Sequence, residues 1–140
     1  MIFSEDQVYL KSSKYSARAI KKFLNKYNYK LDNLEVLDFG CGPCTIHRYL
    51  NFKKTFLYDK EFFLLPSYKR NYFKFKNYNS ILKSKQKYDL IIINSVIQYI
   101  KPNFLNNLLF SLNKKLKNNG IIFLGDVPQF NRFIEFVSCT

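Results

Sequence analysis

Glu35-Val36-Leu37-Asp38-Phe39-Gly40-Cys41-Gly42-Pro43-Cys44 decides how the rest of this chain is read. A short apolar run ends in a carboxylate, and Gly-x-Gly follows two residues later. Thr45-Ile46-His47-Arg48-Tyr49-Leu50 then has the character of a helix opening. Glycine turns the backbone with positive φ and lets a ligand approach without meeting a Cβ. A strand, a glycine turn and a helix start form a cradle for part of a nucleotide-like ligand. The same residues spell Cys41-Gly42-Pro43-Cys44, which carries a rival redox reading.

Working outward, strands alternate with helices. Ser12 or Ser13 caps a predicted helix whose shared face is Tyr15, Ala19, Phe23, Leu24 and Tyr27. Asp32-Asn33 breaks it before the strand Glu35–Phe39. A helix from about Thr45 follows, with Ile46, Tyr49 and Leu50 inward. Thr55-Phe56-Leu57-Tyr58 is a second strand ending at Asp59. Glu61–Leu65 is a short helix interrupted at Pro66, and Tyr72–Phe75 is a weaker third strand. Ile81 and Leu82 sit on a brief helix. Tyr88-Asp89-Leu90-Ile91-Ile92-Ile93, ending at Asn94, is the strongest strand, a continuous run suited to burial on both faces. Pro102 starts a helix in which Leu105, Leu108, Leu109, Leu112 and Leu116 recur at helical intervals. Asn118-Asn119-Gly120 stops it, Ile121–Leu124 is a fifth strand, and Phe130–Val137 reads as a last helical turn or two.

This order predicts an α/β fold: a three-layer, Rossmann-like, open and mostly parallel sheet with helices on both faces. Right-handed crossovers put ligands at the carboxyl ends of the strands, where strand order switches. Asp38, Asp59 and Asn94 all fall at such ends.

The bulk properties fit one domain of 140 residues, with 47% hydrophobic residues and no apolar run long enough to cross a bilayer. The division expected is an N-terminal helical segment (1–34), a ligand-binding core (35–126) and a short tail (127–140). Met1–Asp6 lacks the order of a signal peptide, and three cysteines make no disulfide framework. Both point to the cytoplasm. The formal charge of +13 is scattered from Lys11 to Arg132, the pattern of a solvated basic surface. One denser segment holds Lys69, Arg70, Lys74, Lys76, Lys83, Lys85 and Lys87, interleaved with Tyr68, Tyr72, Phe73, Phe75 and Tyr78. It suits either nucleic acid or an edge strand guarded by lysines.

Val36-Leu37-Asp38-Phe39-Gly40-Cys41-Gly42 resembles the first motif of class I S-adenosylmethionine-dependent methyltransferases. Leu57-Tyr58-Asp59 resembles their second acidic position, and Tyr88–Ile100 their fourth-strand motif. Leu116–Phe123 resembles the segment entering the fifth strand. The four matches stand in order across residues 35 to 126. The resemblance implies S-adenosyl-L-methionine as cofactor, bound by Asp38, Gly40, Cys41, Gly42, Asp59, Lys60, Asn94 and Ser95. In that scheme Gly40–Gly42 lets the backbone pass close to the methionine and ribose parts. Asp38 orients the methionine ammonium, Asp59 accepts from both ribose hydroxyls, and Asn94 and Ser95 line the methionyl end. An Asn within Asn77–Asn79 reads the adenine amine. No metal is needed and no catalytic residue is assigned. Asp126 falls on the acceptor side or caps the last helix. His47, the only histidine, reads as a surface or packing residue.

Two departures from the family stand out. Cys44 occupies a usual glycine position, so its side chain is expected to crowd the cofactor or push the loop outward. Only 14 residues follow Asp126, too few for a helix and two strands, so the sheet reads as truncated after its fifth strand. Ile121–Leu124 then becomes an exposed apolar edge, covered by a homodimer or a partner chain.

The function expected is methyl transfer to a small-molecule or saccharide acceptor, with nucleic acid not favoured and no membrane. A degenerate or truncated methyltransferase fold serving as a binding or assembly module is the alternative. A Cys-Gly-Pro-Cys thiol-disulfide protein resembling thioredoxin is a further one, but the chain has no Trp before Cys41. A dinucleotide oxidoreductase fits worse, since Thr45 stands where its fingerprint needs glycine.

Overall fold

The computed structural model describes residues 5–61, 63, 71–127 and 132–136. A 22-residue helix, α1 (Glu5–Lys26), leads into β1 (Glu35–Phe39), and β2 (Lys54–Tyr58) and β3 (Tyr72–Lys74) follow. Next come α2 (Tyr78–Lys83), β4 (Tyr88–Asn94), α3 (Pro102–Asn113), β5 (Leu116–Val127) and β6 (Arg132–Phe136). Hydrogen bonding orders the sheet β3-β2-β1-β4-β5-β6. The first five strands are mutually parallel and β6 is antiparallel to β5. Chain order reverses between β1 and β4, which creates the switch point.

Successive strand residues point to opposite faces, and the burial follows that rule. Val36, Leu90, Ile92, Ile121 and Phe123 join one buried cluster with Ala17, Ile20, Phe23 and Leu24 of α1. Leu37, Phe39, Ile91, Ile93, Ile122 and Leu124 join another with Ile81 of α2 and Leu112 of α3. Helices therefore cover both faces of a mostly parallel sheet, as expected. At the opposite end from the switch-point loops, Lys117 Nζ bridges Glu35 Oε2 at 2.6 Å and Asp89 Oδ2 at 3.2 Å. That network staples the starts of three neighbouring strands. The Lys117 hydrogen bond is the main reason Glu35 titrates below the ordinary carboxylate value.

Several expectations need correction. α1 begins well before Ser12, so neither Ser12 nor Ser13 is its cap. Its buried face is Ser13, Ser16, Ala17, Ile20, Phe23 and Leu24, while Tyr15 and Tyr27 are exposed. The serines are small side chains where the helix meets the loops: Ser13 bonds Thr45 and Ser16 bonds Asn94. The helix expected from Thr45 is only a 3-10 turn, Thr45–Arg48, although Ile46 and Leu50 are buried as read. α1 packs on that turn and supplies the cover a crossover helix would have given. Leu116 belongs to β5, paired with Tyr88, rather than to α3.

The last described piece, Arg132–Phe136, is a strand, not a helical turn. β6 pairs with β5 through Ile122↔Phe136, Phe123↔Glu135 and Leu124↔Ile134, so the β5 edge is covered from within the chain. The reason given for a dimer or partner at that edge therefore falls. An antiparallel return needs only a short loop, whereas a parallel strand needs a crossover of a dozen or more residues. The tail 127–140 is long enough for the former. The short helix expected at Glu61–Leu65 lies largely outside the described residues.

Candidate functional site

A crevice of about 760 Å³ opens at the carboxyl ends of β1, β2, β4 and β5. All eight residues singled out from the sequence line it: Asp38, Gly40, Cys41, Gly42, Asp59, Lys60, Asn94 and Ser95. Asp126 lines it too. Asn77 does not, because its side chain caps α2 by accepting from Ser80 N at 2.9 Å, which removes the reason to assign it to adenine.

The glycine turn is held by β2. Gly40 N and Cys41 N both donate to Tyr58 O, at 2.7 and 3.0 Å. Asp59, the next residue, accepts from Gly42 N through Oδ2 at 2.8 Å and from Glu61 N through Oδ1 at 2.9 Å. A carboxylate oxygen has two lone pairs, so each retains an acceptor site after these bonds. Gly40 and Gly42 both take positive φ, +81° and +51°. A Cβ on Gly40 would lie 2.3 Å from Val96 Cγ2, so close packing dictates that glycine. A Cβ on Gly42 would meet nothing within 4 Å and would project into open space. One glycine lets two loops touch, and the other keeps ground clear for a ligand.

Asp38 is 2% exposed, and its Oδ2 lies 2.7 Å from His47 Nε2, with His47 wholly buried. His47 is the residue the sequence reading set aside. No pattern of types announces the pair; only the shortness of the 3-10 turn brings position 47 back beneath position 38. Asn94, at the end of β4, donates to Ser16 Oγ at 3.3 Å, while its buried Oδ1 has no hydrogen-bond partner. A Cβ on Gly125 would come within 2.2 Å of that oxygen, so Gly125 makes room for Asn94. Ser95 and Asp126 both take left-handed backbone, φ 58° and 50°, and their side chains are hydrogen bonded. Left-handed geometry at non-glycine residues is concentrated at functional sites.

Cys44 is 2% exposed, left-handed at φ 61°, and absent from the crevice wall, so it does not crowd the crevice as expected. Its thiol and that of Cys41 both donate to Gly42 O at 3.5 Å. The Cys41 thiol is pushed far above its ordinary value by the hydrogen bond with Cys44, then by burial and the nearby Asp38 charge. A redox dithiol needs the opposite shift, which argues against the thioredoxin-like reading.

The charge around the crevice runs against the charge of the chain. Among the described residues, four of the chain's ten acids, Asp38, Asp59, Glu61 and Asp126, line it with one lysine, Lys60, in a protein of net charge +13. Lys74, in the basic segment, donates to Phe63 O at 2.7 Å, and β3 in that segment is a sheet edge, as the second of its two readings expects. Lys69, Arg70 and Tyr68 lie outside the described residues. Among the described residues no group of three or more His, Cys, Asp or Glu is placed to hold a metal ion. No helix among them is long and apolar enough to cross a membrane.

Comparison with solved structures finds the same architecture elsewhere. The N-methyltransferase NodS from Bradyrhizobium japonicum WM9 superposes with a TM-score of 0.62 at 14% identity, over 81% of this chain and 67% of that one. PKMT2 from Rickettsia typhi, in complex with AdoHcy, matches at 23% identity with a TM-score of 0.49. That match covers 68% of this chain and 21% of PKMT2. No curated protein matches significantly. The profile of the methyltransferase domain family matches residues 9–132, from within α1 to the first residue of β6. With that span and the switch-point crevice inside it, the chain belongs to the methyltransferase domain family.

Proposed function

We propose that the crevice binds S-adenosyl-L-methionine and that the protein transfers its methyl group to a small-molecule or saccharide acceptor. One observation carries the reading. Asp59 clamps the glycine turn while keeping acceptor capacity, next to the bare surface of Gly42 and the carboxylate of Asp38. The acidic wall supports a cationic donor over an anionic dinucleotide, because like charges in a partly desolvated cleft repel. The unpartnered Asn94 Oδ1 and the clear ground over Gly42 both suit a ligand with polar edges and close backbone approach.

When bound, the cofactor supplies an activated methyl on a sulfonium, which leaves without metal assistance. The chain's own tasks are binding, alignment and exclusion of water. Asp59 holds the ribose hydroxyls, Asp38 faces the ammonium, and Asn94 and Ser95 flank the methionyl end. Gly40, Cys41 and Gly42 form the floor, and Lys60 stands at the rim. The Ser95–Asp126 pair lies on the wall formed by the ends of β4 and β5 and positions an acceptor hydroxyl or amine there. The composition supports a cytoplasmic location.

A thermal shift with S-adenosylhomocysteine tests the reading. A ligand at a hundredfold its Kd stabilises the native state by about 2.7 kcal/mol, on the order of 10 °C for a chain this size. Adenosine diphosphate and a nicotinamide dinucleotide should give no shift. Stabilisation by the dinucleotide, or by none of these ligands at saturation, overturns it. Stabilisation with no methyl transfer to any acceptor favours the binding-module alternative.

A further inference from the structure

We propose that His47 is a positioning residue for the cofactor's amino-acid end, acting through Asp38; the inference rests on the reading that the crevice binds S-adenosylmethionine. His47 makes no contact with the crevice itself, since it is fully buried and absent from the wall. Its Nε2 lies 2.7 Å from Asp38 Oδ2, and Asp38 does line the wall. With an acceptor carboxylate at Nε2, the imidazole proton sits on that nitrogen and is donated to Asp38. A carboxylate alone rotates freely about its last torsion. Anchoring one oxygen leaves the other as the acceptor presented to a ligand ammonium, which is how an outer partner orients a liganding side chain at metal sites too.

The histidine is itself locked. Phe52 and Tyr72 pack edge-on against its ring, with centroids 6.0 and 5.6 Å away. His47 N donates to Cys44 O at 3.2 Å, and Cys44 N donates to Cys41 O at 3.0 Å. His47 therefore ties the glycine turn, through its main chain, and the Asp38 rotamer, through its ring, into one unit. Nδ1 has no hydrogen-bond partner in its buried setting, so Nε2 carries the ring's polar bonding. Packing alone would be met by an apolar ring without an orphaned nitrogen; the orphan marks a residue kept for its other nitrogen.

The test compares two ligands. S-adenosylhomocysteine has the amino-acid group, whereas 5′-methylthioadenosine keeps adenine, ribose and sulfur but lacks it. His47→Phe should weaken S-adenosylhomocysteine roughly ten- to hundredfold while 5′-methylthioadenosine changes less than about twofold. His47→Gln, which can still donate to Asp38, should recover most of the loss. Equal weakening of both ligands in a folded His47→Phe protein, or no weakening of either, overturns the inference. A wild-type protein that binds neither ligand overturns the functional reading instead. A second measurement needs no variant. The chain has one histidine, so selective ¹⁵N labelling gives one imidazole pair to follow. Those resonances should show a proton fixed on Nε2 and should move with S-adenosylhomocysteine but not with 5′-methylthioadenosine. A tautomer mixture, or the same response to both ligands, overturns the inference.

Discussion

Alanine placed at Gly40 should be far more damaging than alanine two residues later, and the structure gives the size and the cure. At Gly40 the backbone has φ +81°, where an L side chain costs about 1–2 kcal/mol. The new Cβ would also lie 2.3 Å from Val96 Cγ2 and 3.3 Å from Cγ1, against an ordinary carbon contact of about 3.5–4.0 Å. Overpacking of that kind costs about 1–3 kcal/mol, so Gly40→Ala should lose roughly 2–5 kcal/mol. That is a large part of a total stability of about 5–15 kcal/mol. Val96→Ala removes both offending methyl groups at a cost of about 1–2 kcal/mol on its own. In the double variant the overlap is gone and only the backbone cost remains. Its destabilisation should therefore fall short of the sum of the singles by about 1–3 kcal/mol. Gly42→Ala is the control: with φ +51° and open space it should cost only the backbone term, yet weaken S-adenosylhomocysteine about tenfold by filling the crevice floor. Urea unfolding of the four variants and calorimetric titration measure all of this. Additivity of Gly40→Ala and Val96→Ala within about 0.5 kcal/mol would refute the reasoning.

Asp59→Ala removes the acceptor for Gly42 N and Glu61 N, so it should destabilise by about 1–3 kcal/mol and weaken S-adenosylhomocysteine by about a hundredfold. Calorimetry and denaturation read the two effects, and unchanged affinity would remove Asp59 from the site. Cys44→Gly relieves a left-handed residue at the loss of a small buried side chain, so stability should move by less than about 1 kcal/mol. Because Cys44 is not on the crevice wall, affinity should stay within about twofold; a tenfold gain in titration would restore the idea that its thiol obstructs the ligand. The Glu35 carboxyl titrates below its ordinary value of 4.5, chiefly through its hydrogen bond with Lys117. Its contribution to stability is fully present above that value and is lost as pH falls through the lower folded-state value. Lys117→Met should therefore flatten the fall in urea midpoint between about pH 5 and pH 3, and an unchanged slope would show that the network does not set it.

Residue order alone was enough for the five parallel strands and most of the crevice. The β-branched run of β4 and the short apolar stretches of β1 and β2 are local signals, because burial on both faces needs such residues whatever the neighbours are. Asp38, Asp59 and Asn94 were legible for the same reason: each ends a strand, and parallel topology gathers strand ends at one edge. Gly42 needed only the knowledge that glycine takes a left-handed turn at least cost and leaves no Cβ in a ligand's way. The failures were all questions of distance across the chain. Ser12 and Ser13 carry a helix-start signature locally, but Ser13 and Ser16 serve instead in contacts with Thr45 and Asn94, invisible along the sequence. Of the Asn77–Asn79 segment offered for the adenine, Asn77 is occupied by its own helix.

What the amino-acid order determined is the alternation of elements and the line of chemistry at their ends, since periodicity and turn chemistry act over a few residues. The tertiary structure alone decided the pairing of His47 with Asp38, the clearance of Cys44 from the crevice, and the antiparallel closure of β5 by β6. Each depends on where a short connection returns the chain. A 3-10 turn in place of a helix, or a brief loop in place of a crossover, changes which distant residues meet without altering any local pattern.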